Sequence, residues 1–212
     1  MLWPSRDTAA VPALVRHGFA PLVVTAALTA SLTVSRLRGR FDGPPPAVHI
    51  RRATAGDLHT VARFQAEIIR YDSQFGEITH RPSTVDAAER DAAKQLAAEK
   101  PWIWLAERDG EPVGLLAVAP PADAEWIAGH TSAGPVGYLS SLYVTPKSRG
   151  RGVGRALADT GHRALREAGA EVVLLHHALP NPRSTPFWYA TGYRPLWTAW
   201  YRRPVFRKTP AA

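Results

Sequence analysis

The chain has 212 residues, 45% of them hydrophobic, which is enough apolar material for one domain with a buried core. It contains no cysteine, which excludes disulfides, thiolate metal sites and a cysteine nucleophile, and which fits the reducing cytoplasm that we expect as its location. Its 26 Lys and Arg residues against 18 Asp and Glu residues give a formal charge of +8, which favours a polyanionic partner such as nucleic acid or a phosphorylated cofactor.

The first apolar stretch of the chain runs from Phe19 to Val34. Pro21 and four Thr and Ser residues make it a poor signal peptide, and it is shorter than the roughly 20 apolar residues that span a bilayer. We therefore predict a buried strand and no membrane association.

Three consecutive prolines, Pro44 to Pro46, mark a linker, because proline lacks an N–H group and restricts the residue before it. We assign residues 1–42 to an N-terminal extension, 43–47 to the linker, 48–204 to the main domain and 205–212 to a basic tail. No recognisable nucleic-acid module accompanies this tail, so we expect no nucleic-acid partner.

Hydrophobic periodicity and turn residues predict the elements of the main domain. In chain order they are a strand at 48–52, a helix that begins at Thr54, a helix at 83–100, strands at 102–106, 113–118 and 138–144, a helix at 153–168, a strand at 171–177, a helix at 184–191 and a strand at 193–201. This order predicts a mixed α/β sheet.

The segment from Tyr138 to Leu157 reads YLSSLYVTPKSRGRGVGRAL, a strand that leads through a glycine loop into a helix. Unpaired N–H groups at the positive end of a helix dipole form an anion site. Glycines at 150, 152 and 154 let this backbone approach a pyrophosphate closely. The loop lacks the Gly-x-Gly-x-x-Gly spacing of dinucleotide folds and the Lys-Ser/Thr of a P-loop. An ordinary tight turn is the alternative.

The residues Arg149, Gly152 and Gly154 fill a pattern that resembles the Arg/Gln-x-x-Gly-x-Gly/Ala signature of the GNAT superfamily of N-acetyltransferases. The resemblance covers Val48 to about Pro204, and the predicted order of elements matches throughout. It implies an α/β fold of the GNAT acyl-CoA N-acyltransferase type, with a mixed, mostly antiparallel sheet flanked by helices. It also implies transfer from acetyl-CoA to an amine of a small molecule or peptide, without a metal.

The resemblance also implies which residues hold the cofactor. The backbone that pairs with the pantetheine arm is that of Leu142, Tyr143 and Val144. The loop that holds the pyrophosphate consists of Arg149, Gly150, Arg151, Gly152, Val153, Gly154 and Arg155. The positions that contact the far end of the cofactor are Asn181 and Ser184.

The implied chemistry is direct attack by the amine, which needs a base for the ammonium proton. His176 stands five residues before Asn181, where family members that acetylate ribosomal proteins place a glutamate base. Imidazole, with an ordinary pKa of about 6.5, suits this role. A polar strand edge is the equally plausible alternative, and His177 is expected to point to the opposite face.

The family's acid is usually a tyrosine four residues before the glycine that matches Gly192, but Trp188 occupies this position and donates no proton to a thiolate. Tyr189 is adjacent, although one helical residue rotates a side chain by about 100°. Either Tyr189 or solvent therefore protonates the leaving thiolate. The alternative is a catalytically weak module that binds CoA or acyl-CoA.

The N-terminal extension resembles the end of the main domain. The residues His17-Gly18-Phe19-Ala20-Pro21-Leu22 repeat the form of Thr191-Gly192-Tyr193-Arg194-Pro195-Leu196. This resembles a tandem GNAT protein with a truncated first copy, a helix plus a strand. Because an apolar strand must be covered, we predict that Leu22 to Leu28 pairs with the C-terminal part of the sheet, within the chain or across a homodimer.

Overall fold

A computed structural model describes residues 1–29, 47–76 and 78–202. The helices are α1 Val11–Arg16, α2 Leu58–Asp72, α3 Thr84–Leu96, α4 Glu125–Ala128, α5 Val153–Glu167 and α6 Ser184–Ala190. The strands are β1 Leu2–Pro4, β2 Ala20–Thr29, β3 His49–Arg52, β4 Ile103–Arg108, β5 Glu111–Ala119, β6 Val136–Val144, β7 Val172–Ala178 and β8 Arg194–Tyr201. The prolines of the predicted linker and the basic tail lie outside the described residues.

These strands form one sheet in the order β1-β8-β2-β7-β6-β5-β4-β3. Every neighbouring pair is antiparallel except β6 and β7, which are parallel. The prediction of a mixed, mostly antiparallel sheet flanked by helices is confirmed.

Helices cover both faces of the sheet. On one face, Val61 and Phe64 of α2 pack with Leu105 and Leu115 in a buried cluster. On the other face, α5 lies so close that a Cβ atom added to Gly161 would come within 2.9 Å of a methyl group of Leu116. This close approach fixes α5 against the centre of the sheet and places its N-terminus near the end of β6.

The N-terminal strand β2 lies inside the sheet, between β7 and β8. Thr25 pairs with His176 of β7 on one side and with Trp197 of β8 on the other. The prediction that Leu22 to Leu28 pairs with the C-terminal part of the sheet is confirmed within a single chain. Both edges of β2 are hydrogen-bonded within this chain, and a homodimer through the strand stays a prediction.

The turns that lead into β2 and β8 have the same hydrogen bonds. The N–H of Phe19 donates to the carbonyl of Leu14 at 3.0 Å, and the N–H of Tyr193 donates to that of Trp188 at 3.1 Å. Gly18 and Gly192 have φ values of 78° and 100°, which glycine adopts without a steric penalty. The predicted similarity of the two segments is therefore present in the backbone, while their origin as repeats stays a hypothesis.

Two short elements were not predicted, the three-residue strand β1 and the four-residue helix α4. Neither is long enough to show a hydrophobic period. The packing of Ala124 and Ile127, both fully buried, holds α4 against the sheet. Within residues 1–29, 47–76 and 78–202, no helix has the length and apolar character of a membrane span.

Candidate active site

The sheet opens into a fork between β6 and β7. The two strands pair only from Val136 and Val172 to Tyr138 and Leu174. Further along, β6 pairs with β5 alone and β7 with β2 alone among the described strands. The residues of β6 beyond Leu139 are accordingly half-buried or exposed up to Tyr143, although β6 lies at the centre of the sheet. The fork therefore presents a free backbone edge of β6.

A bulge lies where the fork begins. Ala117 of β5 pairs with Ser141 and Val118 pairs with Leu139, which leaves Ser140 without a partner in the ladder. The Ser140 hydroxyl donates to the carbonyl of Ala117 at 2.9 Å. The bulge follows Tyr138, the last residue of β6 that pairs with β7, and therefore lies at the inner end of the fork. Bulges change the direction of a strand and occur often beside active sites.

The predicted glycine loop lies at the outer end of the fork, between β6 and α5. Gly150 and Gly152 have φ values of 70° and 79°. Gly152 is the residue before the helix, and no side chain caps the helix start. Its first backbone N–H groups are therefore available to an anion beside the exposed Arg151.

The two other arginines of the loop are engaged within the chain. Arg149 donates from Nε to the carbonyl of Val144 at 2.9 Å and so holds the loop to the end of β6. Arg155 forms an ion pair with Asp159 at 2.9 Å, one turn later in α5. These contacts shape the loop, and a direct contact of either arginine with a pyrophosphate stays a prediction.

The start of α5 lies against the end of β6 and against α6. A Cβ atom on Gly154 would lie 3.5 Å from the ring of Phe187 and 3.6 Å from a methyl group of Leu142. Val153 and Val144 are buried in the core, whereas Leu142 and Tyr143 are half-buried. The predicted pantetheine-binding backbone and the predicted pyrophosphate loop are thus adjacent.

Asn181 joins the loop after β7 to the end of α2. Its Oδ1 accepts hydrogen bonds from the N–H groups of Arg183 and Ser184 at 2.9 and 3.1 Å, and its Nδ2 donates to Asp72 at 2.9 Å. Burial raises the pKa of Asp72, and the Asn181 hydrogen bond opposes this shift. Ser184 Oγ is buried without a hydrogen-bond partner among the described residues.

His176 lies on β7 just beyond the point where the fork opens. Its Nδ1 is 3.0 Å from the hydroxyl oxygen of Tyr138, the last residue of β6 that pairs with β7. Burial, together with the neighbouring His130 and His177, lowers the pKa of His176 to about 4. Its imidazole is therefore neutral at physiological pH.

His177 points to the opposite face, as strand alternation predicts. Its Nδ1 lies 3.0 Å from the hydroxyl of Thr185, and its ring contacts Tyr189 edge-on at 5.5 Å between ring centres. Tyr189 therefore does not lie beside His176, and the structure does not bring the two predicted catalytic residues together. Burial raises the pKa of Tyr189, so its phenol stays protonated at neutral pH.

Trp188, at the position of the usual acid, is a core residue. Its side chain is buried and packs edge-on against Phe187 and Tyr193, with ring centres 4.7 and 5.4 Å away. Trp188 therefore packs the core beneath α6 and β8.

Sequence reasoning missed two aromatic residues beside His176. Trp126 of α4 lies nearly parallel to the His176 ring, with centres 6.3 Å apart, and His130 contacts it edge-on at 6.4 Å. Their segment shows no helical or strand period, and only the fold brings it to the fork. Histidine and tryptophan in this segment were the only sequence signal.

The acetyltransferase (GNAT) family model matches residues 67–193. A mycothiol acetyltransferase of Sanguibacter keddieii is 35% identical over 108 residues, 49% of this chain and 32% of the relative. The corresponding enzyme of Thermobispora bispora is 32% identical over 116 residues, 50% of this chain and 36% of the relative. The chain thus matches about a third of the length of these relatives.

Solved structures share the fold at low identity. The aminoglycoside N-acetyltransferase AAC(6')-Iy in complex with CoA has a TM-score of 0.58 at 19% identity, and the match covers 81% of this chain and all of that one. A GCN5-related N-acetyltransferase from Sphaerobacter thermophilus has a TM-score of 0.56 at 19% identity, covering 96% of this chain and 60% of that one. Because the family model spans more than half of this sequence, the chain belongs to the acetyltransferase (GNAT) family.

Proposed function

We propose that this protein transfers the acetyl group of acetyl-coenzyme A to an amine of a small molecule or peptide, by direct attack with both substrates bound. The observation that carries the proposal is the fork. A free backbone edge of β6 leads from an uncapped, glycine-lined helix start to a neutral histidine. The family and the names of the relatives support the same reaction.

The residues of the fork fit the proposed cosubstrate. The backbone from Leu142 to Val144 would pair with the amides of its pantetheine arm, and the loop from Arg149 to Arg155 would hold its pyrophosphate. The buried Ser184 hydroxyl, which lacks a partner in the described chain, gains one if a ligand enters this end of the fork. Acetyl-coenzyme A supplies the acetyl group as a thioester.

His176 accepts the proton of the acceptor amine in this proposal, directly or through a water. The Tyr138 hydroxyl orients the ring through Nδ1. Since Nδ1 is engaged by Tyr138, Nε2 is the nitrogen that receives the proton in this proposal. Because burial lowers its pKa to about 4, the ring is unprotonated throughout the neutral range and can accept a proton, but it is a weaker base than an imidazole with the ordinary pKa.

The leaving thiolate receives no proton from Trp188. A thiol has an ordinary pKa of about 8.5, so its release as a thiolate near pH 7 costs on the order of 2 kcal/mol. Because this cost is small, protonation by solvent or by Tyr189 is sufficient. Trp188 also favours the second candidate, a module that binds CoA or acyl-CoA and turns it over weakly.

Thiol release from acetyl-CoA, measured across a panel of amines, tests the proposal. We expect His176→Ala to lower kcat/KM by about 100-fold or more and to leave the affinity for CoA unchanged. His59→Ala, at an exposed position of α2, is the matched control and should behave as wild type. A fully active His176→Ala enzyme would contradict the role of this residue, and CoA binding without turnover of any amine would favour the second candidate.

A further inference from the structure

Four rings meet at the inner end of the fork, on the face of the sheet that carries His176. Tyr138 and His130 contact the His176 ring at 5.7 and 6.4 Å between centres. Trp126 packs edge-on against Tyr138 at 4.9 Å and lies within 21° of parallel to His176. The surroundings of the proposed base are therefore aromatic.

Trp126 is held in place while its ring stays in solvent. It is 62% exposed, whereas its neighbours Ala124 and Ile127 are fully buried against β6 and β7. A large apolar side chain that is fixed at its base and open to solvent is a suitable surface for a ligand, because stacking on it removes apolar area from water at little cost in side-chain freedom.

The loop that follows α4 is also fixed. The indole N–H of Trp197 donates to the backbone carbonyl of His130 at 2.6 Å. Nδ1 of His130 is buried without a hydrogen-bond partner among the described residues. The Trp197 contact therefore fixes the loop that carries His130 beside the ring of His176.

The rings that contact His176 are those of Trp126, Tyr138 and His130. Trp126 is the exposed one of the three. The accessible contact surface beside the proposed base is therefore a flat ring.

We propose that Trp126 selects the acceptor, and that the acceptor carries a flat ring face close to its primary amine, either an aromatic ring or the C–H face of a sugar ring. This inference rests on the proposed acetyl transfer. The ring stacks on the indole of Trp126, which directs the amine towards His176.

The test compares three acceptors in the thiol-release assay, namely glucosamine, benzylamine and the open-chain n-hexylamine. At least one ring amine should have a kcat/KM about tenfold above that of n-hexylamine. Trp126→Ala should abolish this advantage through KM, and Trp126→Phe should retain part of it. The ring amine that loses more identifies a sugar or an aromatic acceptor. Val85→Ala, at an exposed position of α3, is the control.

An equal kcat/KM for all three amines, or a ring advantage that survives Trp126→Ala, would overturn the inference. If no amine releases thiol, the proposed transfer fails, and saturation-transfer NMR with the CoA-loaded protein decides the inference separately. Saturation of the ring protons of benzylamine or glucosamine that disappears in Trp126→Ala supports it. No saturation, or equal saturation in both proteins, overturns it.

Discussion

Two helix-to-strand turns of this chain, at residues 17–19 and 191–193, have the same hydrogen bonds and the same left-handed glycine. Each leads into a strand, and the two strands, β2 and β8, pair with one another. Their surroundings differ. The helix before the second turn contacts Gly154 at the fork through Phe187, whereas the helix before the first turn buries only Leu14.

The difference shows that a turn sequence determines local geometry, and that the neighbours of the turn determine its use. The second turn places Tyr193, which is fully buried, against His162 of α5 at 2.9 Å. The first turn has Phe19 at the matching position, without a hydroxyl group. The second turn therefore borders the fork, and the first leads into a strand that completes the sheet beside it.

The largest expected effect breaks the structural half of this comparison. Val24→Asp places a charge at a position of β2 that is 1% exposed, between two paired strands. We expect a loss of more than about 3 kcal/mol in the free energy of unfolding, measured with denaturant. Val15→Asp, at a position of α1 that is 59% exposed, should change it by less than about 0.5 kcal/mol. Equal unfolding midpoints for the two variants would contradict the placement of β2 inside the sheet.

The next effect depends on pH and involves His162 of α5, which contacts the second turn through Tyr193. Burial lowers the pKa of His162 from 6.5 to about 4. Between pH 6.5 and pH 4, the unfolded chain therefore binds a proton at His162 that the folded chain does not bind. The free energy of unfolding falls as the pH drops from about 6.5 to about 4. For His162 this loss is on the order of 3 kcal/mol. Unfolding curves at pH 7 and pH 4 should differ more for wild type than for His162→Gln, and an equal difference would contradict this assignment.

A smaller effect makes the second turn resemble the first. Tyr193→Phe removes the hydroxyl that pairs with Nε2 of His162 and leaves this buried nitrogen unsatisfied. We expect a loss of about 1–3 kcal/mol in the free energy of unfolding at pH 7. Phe19→Tyr adds the same hydroxyl at a half-buried position and serves as the control. If Tyr193→Phe is as stable as wild type, the His162 contact contributes nothing that distinguishes the turns.

The sequence was sufficient to predict most of the regular elements, because turn glycines and periodic apolar residues act locally. The pairing of β2 was predicted from the resemblance of its turn to the one before β8 and from the need to cover an apolar strand. It predicted that His176 and His177 point to opposite faces for the same reason. The contact between Tyr138 and His176 was not predictable, since it joins two strands at the point where they separate. Trp126 and His130 were missed because α4 has only four residues and is held by tertiary packing.

Other parts of the site depended on resemblance to a family. The spacing of Arg149, Gly152 and Gly154 indicated the loop, but the engagement of Arg149 with Val144 appears only in three dimensions. Asn181 was expected to contact the cofactor, and the structure adds its bond to Asp72, 109 residues earlier in the chain. Contacts at such separations leave no pattern in a single sequence.

We propose that coenzyme A lies over the glycine loop, and calorimetric titration of CoA measures its affinity for this site. Gly152 and Gly110 both have φ of 79°, so Gly152→Leu and Gly110→Leu impose similar backbone strain, one in the loop and one in the hairpin between β4 and β5. We predict that Gly152→Leu weakens CoA binding by about tenfold or more, because the added side chain obstructs the approach of a pyrophosphate to the backbone, and that Gly110→Leu retains wild-type affinity. Equal affinities for CoA in the two variants would contradict the claim.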